Sequence, residues 1–241
     1  MEPYLSIVIP VFNEKDTVFK VINKILSMDF VKEIIIVEDG STDGTSDILK
    51  EAPLDKERVK LIFHEGNLGK GRSLRDGFKK ISGKIIATQD ADLEYNPDEL
   101  KKLTLPILNG IAKVVYGSRF SEKKYCAGYF LHRLGNRFLT SVTNLLYHSK
   151  LTDMETGYKL FKKEVIDEIN IDSADFSVEA ELTAKILKKG IAILEMPISY
   201  SARSYAQGKK IKWIHGLLSL WTLIKYRFTP HLIKSRSLGR G

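Results

Sequence analysis

The sequence lacks the features of a secreted or membrane-spanning protein. It contains a single cysteine, Cys126, so no internal disulfide can form. No apolar run reaches the roughly 18 residues of a membrane-spanning helix, and no basic segment opens the chain as it would in a secretory signal peptide. We therefore expect a cytoplasmic protein with no transmembrane helix.

Acidic residues are also missing from the C-terminal part of the chain. None follows Glu195, whereas nine lysines and arginines do, so the positive charge of the protein is concentrated there. Such a concentration attracts phosphates, nucleic acids or an anionic membrane leaflet. A solvated basic tail accounts for residues 229–241, but not for the amphipathic segment that precedes them.

Short apolar runs alternate with helix-like segments along the first half of the chain. Runs rich in Ile and Val predict strands at residues 5–11, 33–37, 59–63, 84–89 and 112–117. The segments between them predict helices at residues 16–28, 43–51, 69–81 and 97–109. Strands that alternate with helices predict a mostly parallel sheet with helices on both faces. We expect this α/β domain to occupy residues 1–210.

A polar cluster follows each of the five predicted strands. The clusters are Asn13 with Glu14, Glu38 with Asp39, residues 66–70, Asp90 with Asp92, and Ser118 with Arg119. The carboxyl ends of parallel strands meet at one edge of the sheet, where α/β folds bind ligands. Because turn chemistry explains one such cluster more easily than five, we expect these side chains to form a single site.

The sharpest of these clusters is the segment at residues 90–94, Asp-Ala-Asp-Leu-Glu. Asp90 and Asp92 can point into one small volume at a strand end, and Glu94 can add a third ligand. Mg²⁺ and Mn²⁺ prefer oxygen ligands and are commonly shared with substrate phosphates. A polar turn before a helix is the simpler interpretation of this segment alone, but the neighbouring clusters favour a divalent metal site.

Two glycine-containing loops complete the predicted edge. The loop at residues 37–44 carries carboxylates that can accept hydrogen bonds from a base N–H or a ribose hydroxyl, although it also fits a tight turn before a helix. The loop at residues 66–73 nearly matches a phosphate-binding P-loop, but Arg72 stands where that motif requires lysine. We therefore expect a glycine-rich turn that places Lys70 near an acidic group of the substrate.

Seven segments, in the same order, resemble the family-2 glycosyltransferases, which have the Rossmann-like GT-A fold. They are residues 7–14 (IVIPVFNE), 37–45 (VEDGSTDGT), 67–71 (NLGKG), 90–93 (DADL), 117–119 (GSR), 151–161 (LTDMETGYKLF) and 203–210 (RSYAQGKK). Within the family, the chain is most similar to enzymes that glycosylate polyprenyl phosphates, such as dolichol-phosphate mannosyltransferase. The resemblance implies an inverting, metal-dependent transfer of a hexose from GDP-mannose or UDP-glucose to a polyprenyl (dolichyl) phosphate.

The resemblance also implies roles for individual residues. The implied nucleoside contacts are Pro10, Phe12, Glu14, Val37 and Asp39. The implied metal ligands are Asp90, Asp92 and Glu94, with the backbone near Ala91 touching the donor. The implied diphosphate contacts are Arg203 and Lys209, and the implied acceptor phosphate contacts are Arg119 and Arg133.

Three departures from the family pattern affect the expected specificity. Phe12 stands where tyrosine is common, and Glu38 replaces a frequent aspartate. Glu179 and Glu181 lie in a Val-Glu-Ala-Glu setting, where Glu-Pro-Glu is more usual. The last departure leaves the local loop shape and the sugar preference open.

The implied reaction releases a nucleoside diphosphate that carries extra negative charge. A divalent metal, Arg203 and Lys209 can stabilise this leaving group. A phosphate acceptor, with a second pKa of about 6, is already ionised and needs positioning by arginines more than it needs a base. A hydroxyl acceptor does require a base, and Asp153 is the candidate for that role; otherwise Asp153 braces the acceptor pocket.

Two amphipathic segments indicate contact with a membrane. In residues 130–147 apolar side chains recur every four positions, and Arg133 and Arg137 share another face. In residues 211–228 the apolar face comprises Ile214, Leu217, Leu218, Trp221, Ile224 and Phe228. Helices of this composition lie in membrane interfaces, although packing on the protein's own core or homo-oligomer formation would also explain each stripe. We expect binding to the anionic, cytoplasmic face of a membrane.

Three other functions are compatible with these patterns. The first is transfer to a saccharide hydroxyl in polysaccharide or glycoprotein synthesis, and the second is nucleotidyl transfer from a nucleoside triphosphate. The third is a nucleotide- or nucleic-acid-binding regulatory module, which gives no reason for Asp90 and Asp92 at the sheet edge. We therefore expect a nucleotide sugar and a polyprenyl phosphate as partners, with no nucleic acid. A second copy of the chain or a separate membrane-spanning protein would be a further partner.

Overall fold

Seven strands form one mixed sheet in this computed structural model, which describes residues 2–120, 130–203 and 213–229. The strands are β1 (Leu5–Val11), β2 (Val31–Glu38), β3 (Val59–Phe63), β4 (Ile85–Thr88), β5 (Val114–Ser118), β6 (Lys159–Lys162) and β7 (Ile193–Pro197). Their order across the sheet is β3-β2-β1-β4-β6-β5-β7. Strand β6 runs antiparallel to β4 and β5, and the other described pairs are parallel.

Helices cover both faces of this sheet, as the sequence predicts. They are α1 (Val18–Leu26), α2 (Thr45–Glu51), α3 (Lys70–Phe78), α4 (Leu100–Leu108), α5 (Phe130–Tyr147), α6 (Lys163–Asp167), α7 (Val178–Lys188) and α8 (Trp213–Phe228). A short 3-10 turn, Pro97–Glu99, leads into α4, and the Asn96 side chain caps it by accepting a hydrogen bond from the Asp98 backbone. Among the described residues, no helix combines the length and the apolar character needed to cross a bilayer.

The core has one layer on each face of the sheet, because alternate side chains of a strand point to opposite sides. On β2, Ile34 and Ile36 belong to a cluster shared with α1 and α4, whereas Ile35 and Val37 belong to a cluster shared with α3 and α7. A third cluster joins α5, α7 and α8, and Leu223 of α8 is fully buried in it. Helix α8 therefore packs on the α/β domain.

The five predicted strands and the four predicted helices are confirmed, with ends that shift by a few residues. The predicted helix at 97–109 is divided into the 3-10 turn and α4. Strands β6 and β7 have no counterpart in the sequence-based assignment. The predicted segment at 211–228 is helical from Trp213 onward, while residues 211–212 and 230–241 lie outside the described residues.

Glu33 joins β2 to the neighbouring β1 and to the loop before β4, and its removal should weaken the fold. Its buried carboxylate accepts hydrogen bonds from Ser6 Oγ at 2.6 Å, Lys60 Nζ at 2.6 Å and the Ser82 backbone at 2.5 Å. Burial acts to raise the pKa of Glu33, but these donors outweigh it and lower the pKa from 4.5 to about 2. The ionised form therefore stabilises the folded state above pH 4.5, and this contribution is lost as the pH falls toward 2.

We expect Glu33→Gln to lower the melting temperature at neutral pH by roughly 4–8 °C, because a hydrogen bond to a charged group contributes about 2 kcal/mol. The difference from the wild-type protein should shrink as the pH falls through the acid range, which urea unfolding at several pH values would measure. The control is Glu57→Gln, which changes an exposed glutamate. A difference that is independent of pH would contradict the prediction.

Candidate active site

The polar clusters predicted at the strand ends are brought together at the carboxyl edge of the sheet. Asp39, after β2, accepts backbone hydrogen bonds from Leu68 and Gly69, after β3, at 3.0 and 2.8 Å. Lys70 in turn contacts the carboxylate of Asp90, after β4, at 2.7 Å. Loops from three strands therefore contact one another directly, as expected for the carboxyl ends of parallel strands.

A cluster of carboxylates lies where β1 and β4 end, and a segment near the C-terminus covers it. Arg203 donates two hydrogen bonds to Glu14, at 2.8 and 3.0 Å, and its Nη2 lies 3.2 Å from Oδ2 of Asp92. The Arg203 backbone N–H and the Tyr200 hydroxyl both donate to Glu94, at 2.8 and 2.6 Å. The predicted diphosphate ligand Arg203 thus lies among the predicted metal ligands.

Asp90 belongs to a second set of charges on the α7 side of the site. Lys70 bridges Asp90 and Glu179, with Nζ to oxygen distances of 2.7 and 3.0 Å. Glu179 also contacts the fully buried Lys159 at 2.5 Å. Burial acts to lower the pKa of Lys70, but Asp90 and Glu179 raise it well above its ordinary value. Lys70 therefore remains charged beside Asp90.

The acidic residues of the segment at 90–94 fit a divalent cation by their donor atoms and their charge. Burial, and then the charges of Asp90 and Glu94, raise the pKa of Asp92 from 3.8 to about 7, against the lowering effect of Arg203. The local cations therefore leave negative charge uncompensated, which a divalent cation would neutralise. In the described part of the chain, however, no three acidic, histidine or cysteine side chains are grouped closely enough to form a ready metal site.

The turn that carries these carboxylates has an unusual backbone. Leu93, between Asp92 and Glu94, has a φ of 62°, in the left-handed region that leucine seldom adopts. Such strain is concentrated at ligand-binding sites, because a functional orientation is maintained there by surrounding contacts. The strain at Leu93 thus agrees with a ligand role for its two neighbours.

Asp39 braces the glycine-rich loop. Besides its two backbone hydrogen bonds, its Oδ1 lies 2.7 Å from Nδ1 of His64. Gly40, with φ of +70°, packs directly against the backbone of Gly66, so a side chain at this position would collide with the loop. Asp39, which was predicted to contact the nucleoside, therefore holds the loop at residues 66–69 in place.

A buried ion pair forms beside the end of β5. Nε and Nη2 of Arg119 donate to Asp153 at 2.7 and 2.8 Å, and the Arg119 backbone donates at 3.0 Å. Asn136 of α5 donates a further hydrogen bond at 2.7 Å. Burial acts to raise the pKa of Asp153, but Arg119 and Asn136 hold it below its ordinary value. Asp153 is thus fully engaged as an ionised partner of Arg119.

The other predicted site residues take varied positions. Pro10 and Val37 are paired across β1 and β2, and the Val37 side chain is fully buried in the core. Ala91 is also buried, whereas Arg133 lies exposed on α5. Phe12 is half-buried directly after β1. Lys209 lies outside the described residues.

Sequence reasoning missed several residues of the site. They are Lys159, Tyr200, His64 and Glu155, while Glu179 was noticed only as a departure from the family pattern. Glu155 has a buried Oε1 without a hydrogen-bond partner among the described residues, and burial above all raises its pKa to about 7. For Glu155 and Lys159 a signal was available in the sequence, because both lie in the segment at 151–161 that resembles the family.

Comparison with known proteins gives a consistent result. Residues 6–170 match the profile of glycosyl transferase family 2. The UDP-N-acetylglucosamine–dolichyl-phosphate N-acetylglucosaminyltransferase of Methanococcus voltae is 29% identical over 86% of this chain and 90% of its own length. The polyprenol monophosphomannose synthase of Mycolicibacterium smegmatis is 25% identical over 84% of this chain and 79% of its own length.

A solved structure with the same fold is glucosyl-3-phosphoglycerate synthase from Mycobacterium tuberculosis, in complex with Mn²⁺, UDP-glucose and phosphoglyceric acid. It aligns with a TM-score of 0.70 over 95% of this chain and 81% of that chain, at 20% identity. At this identity the likeness concerns the fold alone, and it confirms the predicted GT-A architecture.

Proposed function

Since the chain belongs to glycosyl transferase family 2, we propose that it transfers a hexose from a nucleoside-diphosphate sugar to a polyprenyl phosphate. The names of two relatives, which refer to dolichyl phosphate and polyprenol monophosphomannose, support this acceptor class. The observation that carries the proposal is the Arg119–Asp153 pair. It fixes a guanidinium at the sheet edge and engages Asp153, the carboxylate predicted from the sequence as the candidate base for a hydroxyl acceptor.

On the donor side, the carboxylates would bind the metal and the basic side chains would bind the diphosphate. Asp90, Asp92 and Glu94 would hold Mg²⁺ or Mn²⁺, and the bound metal supplies Lewis-acid stabilisation of the departing diphosphate. The M. tuberculosis synthase, solved with Mn²⁺ and UDP-glucose, supports a divalent metal in this fold. Arg203 would exchange its contacts with the carboxylates for diphosphate oxygens, and Lys70 adds a second fixed positive charge.

On the acceptor side, Arg119 would orient the lipid phosphate. Asp153 occupies Nε and Nη2 of its guanidinium, and neither of these contacts uses Nη1. The ring of Tyr200 lies 5.1 Å from the guanidinium carbon and limits its movement. A phosphate oxygen attacks the anomeric carbon while the bond from that carbon to the diphosphate breaks. An ionised phosphate carries out this step without a base.

A hydroxyl acceptor would require different chemistry from the same site. Asp153 is unsuited to accept a proton, because Arg119 and Asn136 keep its pKa low. Outside the proposed metal ligands, Glu155 is a candidate to replace it among the described carboxylates, since burial raises its pKa to about 7. The two acceptor classes therefore predict different key residues.

The direct test is turnover of radiolabelled GDP-mannose, UDP-glucose and UDP-N-acetylglucosamine with polyprenyl phosphate, in Mn²⁺, Mg²⁺ or EDTA. We expect metal-dependent label in the lipid phase with one of these donors. Nucleotide release that is stimulated by a saccharide and lost in Glu155→Gln would favour a hydroxyl acceptor. No turnover by the folded protein with any donor would overturn the proposal.

We also propose that α5 and α8 place the enzyme on the cytoplasmic face of a membrane. On α8, Ser219, Thr222 and Tyr226 are buried against the protein together with Leu223, while Trp221 and Phe228 are 63% and 75% exposed. On α5, which packs against α8, Leu134, Phe138 and Leu145 are exposed. Arg133 and Arg137 on α5 and Lys225 and Arg227 on α8 are also exposed. Their positive charge suits an anionic leaflet, which is the cytoplasmic one.

We expect the double variant Leu217→Gln/Trp221→Gln to lose most of its binding to anionic vesicles, because both side chains are exposed on α8. Substitution is preferable to truncation, since removal of α8 would uncover the third core cluster. Vesicle flotation measures the effect, and Ile111→Gln, at an exposed apolar position outside α5 and α8, is the control. Unchanged flotation, or a change of oligomeric state in its place, would contradict the membrane assignment.

A further inference from the structure

A row of alternating charges extends from the core to the proposed metal ligand Asp90. Lys159 contacts Glu179, Glu179 contacts Lys70, and Lys70 contacts Asp90, at 2.5, 3.0 and 2.7 Å. Exposure rises along the row, from a fully buried Lys159 side chain to an Asp90 side chain that is 23% exposed. Each charge is compensated by its neighbour, as a buried ion requires.

The inner end of the row is rigid. The ammonium of Lys159 also donates to the backbone carbonyls of Met154 and Thr156 and lies 4.7 Å from the centre of the Tyr116 ring. All three of its hydrogen bonds are therefore used. Glu179, in the first turn of α7, is held at Oε2 by this fixed partner.

The backbone of Lys70 is rigid as well, while its side chain has two acceptors. The glycines on either side of it pack against the carbonyls of Ser173 and Ala174, and the Arg72 backbone donates to Ala174 at 3.1 Å. Only the side chain can therefore respond when Asp90 binds another cation. When Asp90 binds a cation, the ammonium of Lys70 can remain paired with Glu179.

We propose that Glu179 is a positioning residue of the metal site, which retains Lys70 when Asp90 turns from Lys70 to a divalent cation. This inference rests on the metal-dependent function proposed above. Without the negative charge of Glu179, Lys70 would pair with Asp90 alone and compete with the metal. With the negative charge of Glu179 present, Lys70 stays paired with Glu179 beside the leaving diphosphate. Asp90 then loses its contact with Lys70 and can bind the metal.

The test is Mn²⁺ binding, followed by electron paramagnetic resonance of the free ion, in the full-length protein and three variants. We expect Glu179→Gln to weaken binding roughly 10- to 100-fold. Lys70→Gln should bind Mn²⁺ at least as tightly as the wild-type protein, and the double variant Glu179→Gln/Lys70→Gln should recover most of the loss. A purely structural role of Glu179 would not be rescued by removing Lys70.

The outcomes separate this inference from the proposed function. The inference alone would be overturned if Glu179→Gln bound Mn²⁺ with wild-type affinity. It would also be overturned if Glu179→Gln and the double variant bound Mn²⁺ equally weakly. If Glu179→Gln fails to fold because Lys159 loses its partner, weaker Mn²⁺ binding by Lys70→Gln would still overturn it, and tighter binding would support it. Failure of the wild-type protein to bind Mn²⁺ would overturn the metal-dependent function itself.

Discussion

Replacing Asp92 by alanine is expected to abolish sugar transfer while the protein remains folded. Asp92 is a proposed metal ligand whose carboxylate contacts the guanidinium of Arg203, so its removal affects both groups that would stabilise the leaving diphosphate. Loss of one such group costs about 10²- to 10³-fold in rate, and loss of the metal as well should bring lipid labelling to background. The measurement is label in the lipid phase with Mn²⁺ present.

Although Asp92→Ala should lose activity, its folded state should be at least as stable as that of the wild-type protein. The folded protein keeps the proton of Asp92 up to a pH of about 7, whereas the unfolded chain releases it near 3.8. Stability therefore falls as the pH rises between these values, because the folded state binds more protons. Without Asp92 this loss disappears, and the melting temperature in EDTA at neutral to alkaline pH should equal or exceed that of the wild-type protein.

The control for Asp92→Ala is Asp47→Ala, which removes an exposed aspartate from the first turn of α2. Asp47→Ala should transfer sugar normally, and Mn²⁺ should raise its melting temperature as it does for the wild-type protein. If Mn²⁺ raised the melting temperature of Asp92→Ala by the same amount, or if this variant labelled the lipid measurably, Asp92 would not be needed for the metal.

The residues that sequence reasoning could place are those whose position depends on a strand end. Asp90 and Asp92 follow a buried apolar run, so their location at the end of β4 was visible in the sequence. Their partners were less visible, because Arg203 and Glu179 come from segments far away in the chain. Which cation pairs with which carboxylate depends on the three-dimensional arrangement of those segments.

The same limit applies to the fold. Strands β1 to β5 were predicted because their Ile- and Val-rich runs are bounded by turn residues. Strand β6 was not predicted because Lys159 begins it, and a lysine argues against a buried strand unless its partner, here Glu179, is known. In α8 the pattern showed two faces, but not that Ser219 and Thr222 would point inward.

The second large effect is expected at Arg119. We predict that Arg119→Lys lowers kcat/KM for the lipid acceptor roughly 100-fold, while KM for the nucleotide sugar changes little. Lysine retains the positive charge beside Asp153, so the buried carboxylate stays compensated. It cannot form the two parallel hydrogen bonds to Asp153 and also contact an acceptor phosphate, as a planar guanidinium can. Steady-state kinetics with each substrate varied in turn would measure the difference.

Arg75→Lys is the matched control, since Arg75 donates to a backbone carbonyl from α3 and has no predicted role in the site. The companion variant Asp153→Asn tests whether Asp153 acts only by holding Arg119. If the acceptor is a phosphate, Asp153 only holds Arg119, and Asp153→Asn should retain part of the activity because an amide oxygen can still accept from the guanidinium. If Asp153 were the base for a hydroxyl acceptor, the same variant would lose transfer completely, while Arg119→Lys would keep most of it.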